Sequence, residues 1–184
     1  YQACNHFDGG TMCIILGDML FETDYETFID AHRSLGDVDG SIGIKKVDEP
    51  SNYGVVTMDG NRIAELVEKP EDPRSDLAIS GIYFVEDTPG LFDVLESLIA
   101  NDVRGAGDEY QLTDGLQRML DAGAEFGTFE VADWYDCGRP ETLLGANRVL
   151  LEETGSTDGA ATDSSVIIPP VDVGEGTRIE HSVV

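Results

Sequence analysis

Four side chains suited to phosphate and cation chemistry stand where apolar segments of this chain end. Asp18 follows the apolar run 13–16 through Gly17. Asp136 sits in WYDCG, residues 134–138, again just before a glycine. A carboxylate in such a place can hold Mg²⁺, which takes one or two protein carboxylates and fills its octahedron with phosphate oxygens and water. Taken singly, each is also read as an Asx turn or a helix cap; two carboxylates suit one cation better than one does. The run EKP at 68–70 adds a cation. Lysine occurs only at 45, 46 and 69, so Lys69 at a strand end is expected to have a task. An ammonium binds phosphate as a point charge, while Glu68 can accept hydrogen bonds from hydroxyls. A surface ion pair is the alternative for both.

Other chemistries find less support. Neither GxxxxGK[ST] nor GxGxxG occurs, so no Gly-rich phosphate cradle is legible. The histidines, His6, His32 and His181, show no Ser/His/Asp pattern. Cys4, Cys13 and Cys137 have no CxxC or metal-ligand spacing and read as free thiols.

These residues need elements to hold them. Residues 1–9 read as a helix end, with Phe7 packed inward and Gly9-Gly10 as the stop. The unbroken apolar run 11–16 reads as a strand buried on both faces, as in a parallel sheet. A helix is expected from Asp24, with Tyr25, Phe28, Ile29 and Leu35 at helical spacing, then a strand at 40–47 and a Pro-Ser-Asn turn. Residues 53–58 and 62–67 form a hairpin about Asp59-Gly60-Asn61, and 77–85 is a further strand. Helices follow at 90–100 and 112–122, the latter with Thr113 or Asp114 as a cap. After a strand at 126–131, a helix at 141–153 has Leu143, Leu144, Val149 and Leu150 available for a core. Strands alternating with helices argue an α/β sheet with mainly parallel strands. Ligands bind beyond the carboxyl ends of such strands, where Gly17-Asp18 falls. Residues 154–163 read as a Gly/Ser/Thr/Asp linker. Beyond it Ile167, Val173 and Ile179 recur every six residues, the period of a parallel β-helix.

In order, ILGDMLFE (15–22), SNYGVVTMDGNRIAELVEKPEDPRSDLAISGIYFVED (51–87), GAGDEYQLTD (105–114) and WYDCGRPETLLGANRVLL (134–151) resemble the sugar-1-phosphate nucleotidyltransferases. The likeness is to glucose-1-phosphate thymidylyltransferases and UTP–glucose-1-phosphate uridylyltransferases. It implies a Rossmann-like mixed sheet flanked by helices over 1–153, the linker 154–163, and the start of a left-handed parallel β-helix over 164–184. It implies a nucleoside triphosphate (dTTP or UTP) and a sugar 1-phosphate as partners, Mg²⁺ as cofactor, and in-line transfer with release of pyrophosphate. By matching motif, Asp18 and Asp136 would be the metal carboxylates, and Lys69 would hold the sugar phosphate. Glu68 would take the sugar hydroxyls, Gly54 would bring backbone close to the sugar, and Gly81, Tyr83 and Trp134 would line its pocket. Many relatives carry Asn after the Gly-Asp pair, where this chain has Met19. The family's opening strand and GxGTRLxPxT loop have no counterpart here. The chain is therefore expected to be the remainder of a longer enzyme, inactive alone, with dTTP and UTP undecided between it. A non-catalytic regulatory subunit of the same fold and an acetyltransferase tail are the alternatives. The β-helix implies a homo-oligomer.

The 184 residues suffice for one sizeable domain, or one with a small appendage, and 41% are hydrophobic. No run approaches the roughly 20 apolar residues of a membrane span, so a soluble cytoplasmic protein is expected. The 37 acidic against 11 basic residues give a formal net charge of −26, which excludes the basic patches that nucleic acid needs. The carboxylates are spread along the chain instead of gathered in a tail, as suits a high-salt cytoplasm where screening suppresses self-repulsion. The chain is expected to loosen at low salt. Circular dichroism and melting should show lost helicity and a broadened transition at about 50 mM salt, recovered at molar salt; a full, cooperative transition at both would contradict the reading.

Overall fold

The computed structural model describes residues 2–7, 9–132, 134–155 and 161–184. It divides into two compact units, residues 1–134 and 135–184. The first contains β1 (Met12–Ile15), β2 (Met19–Phe21), α1 (Tyr25–Ser34), β3 (Gly40–Lys46), β4 (Gly54–Asp59), β5 (Arg62–Glu68), β6 (Leu77–Val85), α2 (Thr88–Ala100), α3 (Leu112–Asp121) and β7 (Phe126–Glu130). β8 (Trp134–Asp136) starts on its last residue.

Local chemistry explains most of these boundaries. Asp24 caps α1 by accepting from the Thr27 amide at 2.8 Å, and Asp87 does the same for Gly90 at the start of α2. β4 and β5 pair from Gly54↔Glu68 to Asp59↔Arg62, leaving Gly60-Asn61 as the tight turn; Gly60 takes φ 58°, which glycine adopts freely. The amino-terminal end differs from expectation. Among the described residues there only Cys4–His6 is helical, as a 3-10 turn, and Phe7 is exposed because no described layer covers it.

The sheet runs β5-β4-β6-β3-β7, with β1 also on β6. It is mixed, as expected, yet the strands are not mainly parallel. Only β3 and β7 run parallel; β1, β3 and β4 are all antiparallel to β6. The links joining β3, β4, β5 and β6 are too short for the dozen or so residues that a parallel crossover requires.

One core lies on each face. Ile42, Val56, Leu66, Ile79, Tyr83 and Val85 pack with Leu91 of α2 and Leu116 and Met119 of α3. On the other face Ala78, Ile82, Phe84, Phe129 and Trp134 pack with Phe28 of α1. β6 is buried along almost its whole length, so its apolar run reports two covered faces, not strand direction. The expected double burial of β1 is not observed. Met12 is buried, but Cys13 and Ile15 are exposed, since β1 has only β6 beside it among the described residues.

The second unit holds α4 (Pro140–Thr154), β9 (Ala161–Asp163) and β10 (Arg178–Glu180). Pro140 occupies the first turn of α4, where its missing N–H is harmless. Of α4 only Ala146 is buried; Leu143, Leu144 and Leu150 are exposed, contrary to the expected core role, because little of this unit lies against the helix. The expected linker 154–163 ends in β9, and its residues 156–160 lie outside the described residues. β9 and β10 are parallel, each residue pairing with the one seventeen positions on, and the Val166–Val183 bridge keeps that offset. Ile167, Val173 and Ile179 are half-buried between exposed neighbours.

Gly43 is a tight point of the sheet. A Cβ there would lie 2.6 Å from Ile82 Cγ2 and 2.7 Å from Ser80 Oγ. Gly43→Ala should therefore destabilise the domain by about 1–3 kcal/mol, read as a fall in Tm; an unchanged melt would show that β3 and β6 can move apart freely.

Candidate active site

β6 has two edges and three partners. β3 covers one edge from Gly40↔Val85 to Lys46↔Leu77. β1 and β4 must share the other, β1 at Ile82–Val85 and β4 at Ala78. Between them, at 79–81, the sheet splits. β6 is also bulged here: between the pairs Ile42↔Tyr83 and Ile44↔Ile79, β3 has one residue and β6 has three. Two extra residues keep the alternation of faces in phase while bending the strand. Gly81 makes the bend at φ 82°.

Some of the residues expected to do chemistry stand around this split, from several elements. Leu16, at the end of β1, donates its amide to the Gly81 carbonyl at 3.0 Å, so the Gly17-Asp18 turn starts there. A Cβ on Gly81 would sit 2.7 Å from Met19 Cγ, so the glycine gives room to the residue after Asp18. Met19 in turn contacts Trp134, whose indole Nε1–H points at its sulfur at 3.0 Å. Trp134 packs edge-on to Tyr53, 5.1 Å between ring centres. Met19 thus has a packing role where a polar residue would have none.

On the other face of the split stands Glu68. It is half-buried, and its Oε2 accepts a 2.7 Å hydrogen bond from Thr113 Oγ1 of α3. Gly54 lies opposite it in register; a Cβ there would be 2.9 Å from Oε2 and 2.8 Å from Ile79 Cδ1. Tyr83 is buried, and burial, followed by the nearby Glu68 charge, pushes its phenol well above the usual tyrosine range. Its hydroxyl has no hydrogen-bond partner among the described residues.

Lys69 follows in the left-handed region, φ 43°, directly before Pro70. Its amide is tied to the Tyr53 carbonyl at 3.0 Å. That backbone costs a residue with a Cβ about 1–2 kcal/mol, and strain of this kind collects at functional sites. No ion pair joins Lys69 to Glu68, and among the described residues its ammonium has no partner.

The carboxylates expected for Mg²⁺ fall in different units, Asp18 in the first and Asp136 in the second. Asp18 is exposed and makes no hydrogen bond or ion pair among the described residues. Asp136 Oδ1 accepts from the Gly138 amide at 2.8 Å, the Asx turn read as its alternative. No cluster of three or more His, Cys, Asp or Glu occurs among the described residues, so no closed protein cage is present. Open carboxylate oxygens fit the habit of Mg²⁺, which keeps phosphate and water in most of its shell.

Two groups were not legible beforehand. Thr113 or Asp114 was expected as the helix cap, but Gln111 takes the cap position and Thr113 lies in the first turn, its hydroxyl bonded to Glu68. His32, read as partnerless, is buried against Phe84 and bonded to Ser41 Oγ at 2.8 Å and to Glu86 Oε1 at 2.9 Å. Glu86 also accepts from Thr11. This Ser–His–Glu contact is structural, because Ser41 is wholly buried and no substrate could reach it.

The chain belongs to the family described as nucleotidyl transferase, which matches residues 1–153. It is 34% identical over 181 residues to the bifunctional protein GlmU of Methanococcus aeolicus, covering 97% of this chain and 41% of that protein. It is 33% identical over 159 residues to the glucose-1-phosphate thymidylyltransferase of Streptomyces antibioticus, covering 85% of this chain and 42% of that one. The chain thus spans about two-fifths of the length of these relatives. The fold resembles a UDP-glucose pyrophosphorylase solved with UDP-glucose, with a TM-score of 0.67 and 23% identity over 83% of this chain and 60% of the other. No helix among the described residues is long and apolar enough to cross a membrane.

The raised Tyr83 pKa has a definite consequence for stability. The phenol stays neutral when folded, so its contribution is complete below the unfolded value of about 10 and is lost as pH rises beyond it. Denaturation midpoints of the wild type should fall more steeply above about pH 10 than those of Tyr83→Phe; parallel curves would place the phenol in solvent.

Proposed function

We propose that this chain carries the sugar-phosphate side of an enzyme that transfers a nucleotidyl group from dTTP or UTP to a sugar 1-phosphate, most directly glucose 1-phosphate. The products are an NDP-sugar and pyrophosphate. The observation that carries this is Glu68, held by Thr113 beside Gly54 at the sheet's split, with a strained and unpaired Lys69 next to it.

A pyranose could approach the backbone of Gly54 and give its hydroxyls to Glu68, with Gly81 lining the pocket. Tyr83 and Trp134 would form the walls. Lys69 would hold the 1-phosphate by charge. An oxygen of that phosphate then attacks the α-phosphorus of the triphosphate in line; one P–O bond forms, the bond to pyrophosphate breaks, and no enzyme-bound intermediate is needed. The protein's share is positioning and charge stabilisation. Asp18 and Asp136 are the carboxylates that would hold Mg²⁺, whose charge offsets that of the phosphates. The parallel pairing of β9 and β10, with Ile167, Val173 and Ile179 each half-buried between exposed neighbours, supports the start of a β-helix at 164–184, through which copies would assemble. A cytoplasmic, salt-adapted enzyme fits the charge.

Pyrophosphate release by the full-length protein, across dTTP and UTP with several sugar 1-phosphates, tests the reading. One pair should turn over well. Lys69→Ala should lower kcat/KM by about 100-fold or more, and Asp136→Asn should cost orders of magnitude in rate. No turnover with any pair would end the enzyme reading in favour of a binding subunit, in which Asp136→Asn changes little.

A further inference from the structure

We infer that Thr113 is a positioning residue for sugar recognition, fixing which oxygen of Glu68 faces the ligand; this rests on the reading of Glu68 given above. Thr113 is 3% exposed on the first turn of α3 and spends its hydroxyl on Glu68 Oε2 at 2.7 Å. The bond crosses from a helix to the last residue of β5, forty-five positions away in the chain. A threonine in a helix has few χ1 choices, so the donor is fixed before any ligand arrives. Glu68 would otherwise rotate about three side-chain bonds at the end of its strand.

Gly54 closes the arrangement. A Cβ there would come within 2.9 Å of Glu68 Oε2 and 3.4 Å of Thr113 Oγ1, so the pair fits only against bare backbone. With Oε2 engaged, Oε1 has no partner among the described residues. It is the oxygen left to accept from sugar hydroxyls. A neutral donor does this without cancelling the carboxylate's charge, as a lysine or arginine in that place would. The charged acceptor therefore stays strong for hydroxyl donors.

The test compares Thr113→Val, which keeps the shape and loses the donor, with Thr113→Ser, which keeps the donor and loses a methyl. In the full-length protein, Thr113→Val should raise KM for glucose 1-phosphate about tenfold and leave KM for the nucleoside triphosphate unchanged. Thr113→Ser should retain the wild-type KM even where its Tm falls. Calorimetric titration with glucose 1-phosphate is read beside turnover. Turnover with unchanged KM and Kd in Thr113→Val overturns the positioning role alone. So do equal losses for both variants and both substrates, which mark simple packing. Weakened glucose 1-phosphate binding in Thr113→Val, with no turnover in any form, upholds the positioning role and overturns the transferase reading instead.

Discussion

A strand has two edges, and β6 must serve three neighbours. That constraint organises the first unit. With β3 along one edge, β1 and β4 meet end to start on the other, and the backbone at 79–81 is left between them. The bulge around Ser80-Gly81 opens the sheet there without disturbing either core, because two added residues return the side chains to their faces. Ile79, Tyr83 and Val85 remain on the α2/α3 side, and Ala78, Ile82 and Phe84 on the α1 side. One added residue would have reversed them. Ser80 shows the cost: its buried hydroxyl has no partner among the described residues.

The electrostatics of the split are unusual for so acidic a chain. Most cations of the first unit are engaged with carboxylates, as Lys46 with Asp76, Arg62 with Glu125 and Arg74 with Glu65. Lys69 is not, and its backbone is held in a costly conformation by one bond to Tyr53. Glu68 is held by a neutral hydroxyl. Opposite charges thus stand side by side in sequence without an ion pair between them. Elsewhere the acidic surface keeps its charge: Asp24 is held below the usual carboxylate range by the Thr27 bonds, and Asp102 by Tyr110 and Arg104.

In the second unit the burial is slight, and the apolar residues report it. Leu143 and Leu144 are half or more exposed, whereas Ile167, Val173 and Ile179 are half-buried. A helix with apolar residues at suitable spacing is still exposed when nothing packs on it.

Local signals settled the elements. The helix start at Asp24, the Gly60-Asn61 turn and the nine-residue run of β6 are properties of neighbouring residues, and they read correctly from the sequence, as did the family. Strand direction did not. A continuous apolar run reflects two covered faces, which antiparallel strands between helices satisfy as well as parallel ones do. Partners distant in the chain were equally hidden. Thr113 with Glu68, and His32 with Ser41 and Glu86, meet only because α3 packs on β5 and α1 on the opposite face. A hydrogen bond needs its donor and acceptor within about 3 Å, and only the folded sheet brings residues so far apart in sequence to that distance.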